Sequence, residues 1–297
     1  MLSLSRKELA DGLCTEKYIY LIEKGERSPS IDIISMISER LGVDLFDYYQ
    51  YLGCNNPIVV RESIRHFNIC RRKNDYVELE RITKVVSRYP DFNIKPWIYE
   101  IELNLLTLIL FQRRKYKEGK EKIINLLEEL EVKYANSYYA VNLYMLLSAC
   151  NQFLGDLAGA KEAVLTAERM LSDKQDMDKY NHIRMAVKVC SISNAYHSGE
   201  YELAIQKGVE FLQYLYSLSV YLYLYYVYFY LSFSNYNLRR YQEASEYFKK
   251  GINSLMLEER QSDVNLLYEL EEFKILLYQS GLTKGCIEEF LRRYNLA

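Results

Sequence analysis

SGEYELA, residues 198–204, sets a turn glycine (Gly199) before an aromatic residue (Tyr201) and, three positions on, a small one (Ala204). The same order of residue kinds recurs as KNDYVEL around Tyr76, RRKYKEG around Tyr116, LGDLAGA around Leu157, LRRYQEA around Tyr241 and SGLTKG around Leu282. These anchors lie 40, 41, 44, 40 and 41 residues apart, a near-constant period that marks an internal repeat. The residue three beyond the anchor is Gly119, Ala160, Ala204, Ala244 or Gly285; the first unit alone departs, with Leu79.

Each anchor sits between two helical patterns. In the fifth unit one helix is expected near residues 219–237 and another near 241–256, where Tyr241, Ala244, Phe248, Ile252 and Leu255 form an i, i+3/i+4 stripe. The small residue lets the two helices of a pair approach closely. Neither helix can bury its stripe alone, so neighbouring pairs must stack. The expected fold is all-α: a small head, then a right-handed superhelix of about five to six helix pairs over residues 58–297.

Composition agrees. Twelve Gly and 4 Pro in 297 residues are too few for the tight turns of a β-rich fold. A net charge of −2 gives no hint of nucleic acid for the chain as a whole. The six cysteines include no C-x-x-C pair, which suits reduced thiols and a cytoplasmic location. His66, His182 and His197 are scattered, so neither a metal nor any other cofactor is expected. The opening MLSLSRKELADGL carries charge early and lacks a signal-peptide core. Between Glu210 and Arg239 there is no charged residue, and the run contains VYLYLYYVYFYLSF. Tyrosine belongs at membrane interfaces rather than mid-bilayer, and the run is in phase with the repeat, so no membrane span is expected.

Residues 1–52 read as four short helices. Ser5 and Glu8 form a capping box, Gly12-Leu13-Cys14 turns, and Thr15 caps a second helix that ends at Gly25. Ser28-Pro29 is expected to cap a third, and Leu45-Phe46-Asp47-Tyr48-Tyr49 to open a fourth. Through Leu9-Ala10, Ile22-Glu23-x-Gly25, Pro29-Ser30 and Leu41-Gly42-Val43 this segment resembles the Xre/Cro-type helix-turn-helix domain. That family has a further helix before the one at Ser5, so the resemblance implies a head with its first helix missing. It also implies that Thr15, Glu16, Lys17, Tyr18 and Tyr20 face bases or phosphates of double-stranded DNA, with Lys24 and Arg27 as backbone clamps. Arg6 stands where the family usually has Gln. The segment holds six Lys/Arg against nine Asp/Glu, a net −3, so one head alone should hold phosphates weakly.

Gly199-Glu200-Tyr201-x-x-Ala204 resembles the centre of the tetratricopeptide repeat. The period here is longer than that family's usual length of about 34 residues and implies longer helices. Head and array together resemble the PlcR-type peptide-pheromone regulators, related to the Rap, Rgg, NprR and PrgX groups. The resemblance implies a homodimer on a palindromic operator, with a short signalling peptide on the inner face of the superhelix. In such arrays the first helix of each pair lines that face. Counting back from the anchors then offers Arg61, Arg65, Asn68, Arg72, Asn104, Asn142, Tyr226, Tyr230, Asn237 and Lys274 as peptide contacts. Ser193 and His197 share such positions. Asn can pair with peptide backbone in both senses, Arg can take a carboxylate, and Tyr offers an apolar wall with a polar tip.

Catalysis is not expected. The P-loop, dinucleotide, nucleophile-elbow and zinc-protease strings are all missing, and the carboxylates mostly alternate with Lys/Arg on helix faces. Two functions stay open: a peptide-responsive DNA-binding regulator, or a tetratricopeptide adaptor with a vestigial head.

Overall fold

The computed structural model describes residues 4–42, 45, 51, 53–172, 181–258, 264, 267–294 and 296. Among them there is helix and no strand.

In the head, α1 (Arg6–Ala10), α2 (Glu16–Glu23) and α3 (Ile31–Leu41) close on Ala10, Ile19 and Ile37. Ser5 and Glu8 form the expected box, the Thr15 hydroxyl accepts from the Tyr18 amide, and Gly25 turns back with φ 73°. The cap of α3 is Ser30 rather than Ser28-Pro29; its hydroxyl accepts from the Ile33 amide, which leaves Pro29 outside the helix. Phe46–Tyr49, where the fourth helix was expected, lies outside the described residues.

The array is a run of helix pairs: α4 (Pro57–Lys73) with α5 (Tyr76–Val86), α6 (Ile98–Thr107) with α7 (Tyr116–Glu128), and α8 (Tyr138–Phe153) with α9 (Leu157–Ser172). Then follow α10 (Asn181–His197) with α11 (Tyr201–Ser217), α12 (Leu224–Asn237) with α13 (Tyr241–Glu258), and α14 (Glu271–Gln279) with α15 (Lys284–Arg293). Five anchors are the first residues of α5, α7, α9, α11 and α13. The sixth, Leu282, falls two residues ahead of α15, which Thr283 caps. α6 runs straight into a π turn, Leu108–Gln112.

The small residue does what its size allows in the middle units. A Cβ on Gly119 would lie 2.3 Å from Leu110 Cδ2. Ala160, Ala204 and Ala244 are fully buried. The Ser148 hydroxyl donates to the Ala160 carbonyl at 2.8 Å, and Ser232 to Ala244 at 2.6 Å, so the close seam is also hydrogen-bonded. In the sixth unit this breaks down: Gly285 faces open space.

The first helix of unit five begins at Leu224, later than the expected 219, because Ser219 and Tyr223 take left-handed backbone (φ 52° and 70°). α12 then buries almost every face, including Tyr225, Phe229 and Phe233. Phe273 meets Phe229 and Phe248 at 5.1 Å between ring centroids. Such aromatic contacts contribute about 0.5–1.5 kcal/mol each beyond their area. A helix apolar all round is a core helix when neighbours wrap it, which accounts for the charge-free run. No helix of the described residues is long and apolar enough to cross a membrane.

Candidate functional site

The first helices of five successive pairs, with the segment ahead of α14, frame a cavity of about 490 Å³. From α4 come Asn68, Arg71 and Arg72; from α6 and its π turn, Leu103, Thr107 and Phe111. Tyr138, Asn142, Met145 and Gln152 follow on α8, then His182, Val189, Cys190, Ser193 and His197 on α10. Tyr226 and Tyr230 of α12, with Leu267, Glu269 and Leu270, complete the wall.

Polar groups on the wall are partly ordered by one another. The Ser193 hydroxyl reaches Gln152 Oε1 at 3.1 Å and the Tyr230 hydroxyl at 2.8 Å. With its proton given to Gln152, Ser193 accepts from Tyr230. The Asn142 amide donates to the Tyr138 carbonyl at 2.8 Å, which leaves its oxygen available to a ligand. Burial lowers the His197 pKa below its ordinary 6.5, with Glu272 opposing, so this imidazole is neutral at pH 7. Burial also pushes the Cys190 thiol up to about 12, and it lines the cavity as an apolar group rather than a nucleophile.

Charge is concentrated at the α4 end. Arg71 donates to Glu100 at 2.8 Å, to Asn68 at 2.7 Å and to Asn104 at 3.0 Å, and the Asn104 amide donates onward to Thr83 at 3.1 Å. Burial opposes the Arg71 cation, but Glu100 together with the Tyr138 and Tyr139 hydroxyls more than offsets this and raises its pKa. Arg72, one residue on, bonds only the Asn68 carbonyl, at 3.2 Å, and has no carboxylate partner among the described residues. A guanidinium so placed on the wall can take a carboxylate.

Of the ten expected peptide contacts, Asn68, Arg72, Asn142, Tyr226 and Tyr230 line this cavity. The other five do not. Asn104 is fully buried and bonded into the seam between pairs one and two. Arg61 and Arg65, on the early turns of α4, pair with Glu62 and lie outside the cavity lining. Asn237 is bonded to the Phe233 carbonyl and to Glu272, and Lys274 lies exposed over the Tyr268 ring. Counting back from the anchors missed Arg71 and Tyr138. Arg71 was signalled by its i+3 spacing from Asn68, which puts both on one helix face.

In the head, Thr15, Glu16 and Lys17 are exposed at the start of α2, with Tyr18 half-buried and its hydroxyl 3.4 Å from the Ser28 carbonyl. Tyr20 is exposed, with the Arg6 guanidinium 5.2 Å and the Lys24 amine 5.8 Å from its ring centre. Arg6 also pairs with Glu23 at 2.5 Å. Arg40 is spent on the end of α1, where it donates to the carbonyls of Glu8, Leu9 and Asp11. Lys17 and Arg27 remain exposed. Among the described residues no group of His, Cys, Asp and Glu could hold a metal ion.

Residues 1–48 match the helix-turn-helix family HTH_3. The chain as a whole has the fold of Bacillus thuringiensis PlcR, in a crystal structure in complex with the peptide PapR7 and DNA. The TM-score is 0.71 at 16% identity, over 90% of this chain and 94% of that one. No curated protein matches the chain in sequence.

Proposed function

We propose that this protein is a cytoplasmic, homodimeric DNA-binding transcriptional regulator, gated by a short signalling peptide held in the cavity of its repeat array. The head is taken as residues 1–52 and the array as 58–297. The observation that carries the reading is the cavity wall. Five first helices supply a long apolar trough, and Asn142, Tyr230 and Arg72 stand in it at successive stations. An extended peptide with a carboxylate near Arg72 fits that arrangement. Peptide bound across several pairs would bias how the arrays sit, and with them the spacing of two heads on a palindromic operator.

A second reading, a tetratricopeptide adaptor with a vestigial head, gains weight from the head's charges. Arg6 and Arg40 are engaged internally, and residues 1–52 carry a net −3. A mobility-shift assay decides between them. It uses DNA flanking the gene, at low salt, with and without a synthetic heptapeptide from the end of any small secreted product encoded nearby. Peptide-dependent retardation of a fragment supports the regulator. Failure to retard any fragment leaves the adaptor.

A further inference from the structure

Both terminal nitrogens of Arg114 reach one carboxylate oxygen of Glu269 at 3.0 Å, across 155 positions of sequence. Arg114 lies between the π turn and α7 in pair two; Glu269 lies just ahead of α14 in pair six. Bridges such as Lys120–Asp156 and Lys161–Glu200 span 36 and 39 positions and join neighbouring pairs. Arg114–Glu269 instead skips pairs three, four and five, whose first helices line the cavity, and Glu269 lies on the cavity rim with Leu267 and Leu270.

Two backbone features converge on the same place. The π turn Leu108–Gln112 is a rare conformation that concentrates at functional sites. Arg114 has φ 53°, the left-handed turn that Asn74, Gly155, Gly199 and Arg239 also make two residues before their anchors, and here the turn carries a guanidinium. Tyr116, which feels the charges of both Arg114 and Glu269, stacks on Phe153 at 4.5 Å, and Phe153 belongs to the cavity wall.

We propose that Arg114 and Glu269 form a strap across the mouth of the cavity, which sets how fast a ligand enters and leaves. The two side chains are 51% and 59% exposed, so water competes for both. An exposed pair of this kind shifts an equilibrium by about fivefold at most, and salt weakens it further. That strength suits a gate that opens for exchange, not a lock. The strap regulates the cavity used in the proposed function and rests on that reading for the identity of what enters, so its test uses a different probe.

The probe is anilinonaphthalene sulfonate, an apolar anion whose entry into the full-length chain is followed by stopped-flow fluorescence at low salt. Glu269→Gln and Glu269→Lys are expected to raise the entry rate by about two- to fivefold, Lys more than Gln. The swap Arg114→Glu with Glu269→Lys returns it toward the unmodified protein. High salt speeds entry into the unmodified chain and leaves Glu269→Gln unchanged. Both positions are exposed, so circular dichroism should not differ among the variants. Equal rates in all forms, or no dye uptake by any of them, overturns the strap. Strap-dependent dye entry without peptide binding supports the strap and removes the peptide reading instead.

Discussion

Arg71 and Glu100 form an ion pair 2.8 Å apart inside the seam between the first and second helix pairs, where Glu100 is 3% exposed. Asn68 and Asn104 each accept a further Arg71 N–H, so the α4 end of the cavity stands on a connected polar network. Desolvating two charges is costly, and such a pair is tolerated because its geometry and added hydrogen bonds offset that cost.

Arg71→Ala leaves the Glu100 carboxylate buried without its cation. It should destabilise the array by about 3–5 kcal/mol, read as a lower denaturant midpoint. Arg71→Met with Glu100→Leu should recover most of the loss. A double variant as unstable as the single one would show that the pair contributes more than mutual compensation.

Arg72→Gln should weaken binding of an anionic peptide by about tenfold or more, as expected for a charge-assisted bond, without moving the midpoint. Asn104→Ala should do the reverse. It strips partners from Arg71 and Thr83 and should cost about 1–3 kcal/mol of stability. Arg65→Ala, 70% exposed outside the cavity, should change neither. Calorimetry showing unaltered affinity in Arg72→Gln would remove Arg72 from the site.

Gly119→Ala forces a methyl to within 2.3 Å of the buried Leu110 side chain and should cost about 1–3 kcal/mol by overpacking. Gly285→Ala meets nothing within 4 Å and should stabilise α15 by up to about 1 kcal/mol, because alanine loses less chain entropy in a helix. Thermal unfolding of the two variants should therefore move in opposite directions.

Lys17→Ala with Arg27→Ala should lower DNA affinity and reduce the salt-dependence exponent by about two, one for each phosphate no longer neutralised. An unchanged slope in a titration across salt concentrations would place the docking face elsewhere on the head.

The repeat was legible because its anchors start the second helices of five pairs, and a side-chain stripe at helical spacing leaves few alternatives. Half of the inward residues were not. Asn104 lies twelve positions before Tyr116, but the π turn Leu108–Gln112 intervenes. A wider turn takes up an extra residue, and each residue miscounted rotates a helix face by about 100°. Leu103, Thr107 and Phe111 therefore line the cavity, and Asn104 faces the seam. That Arg61 and Arg65 fall outside the cavity, although they share a helix face with Asn68 and Arg72, was hidden for a different reason. Both lie early on α4, whereas Asn68, Arg71 and Arg72 reach the cavity from its later turns, and where a helix meets a cavity is set by packing rather than by period.

The capping role of Arg40, which donates to the carbonyls that end α1, has a consequence for any duplex the head meets. A guanidinium held by backbone carbonyls keeps its charge but is not free to close on a phosphate, so a lone head would linger only briefly on one half-site. Tethering two such weak grips to stiff arms multiplies residence by about 10²–10⁴ when the arms match the target's geometry, and by nothing when they do not. Discrimination would then come less from reading individual bases than from measuring the distance between half-sites.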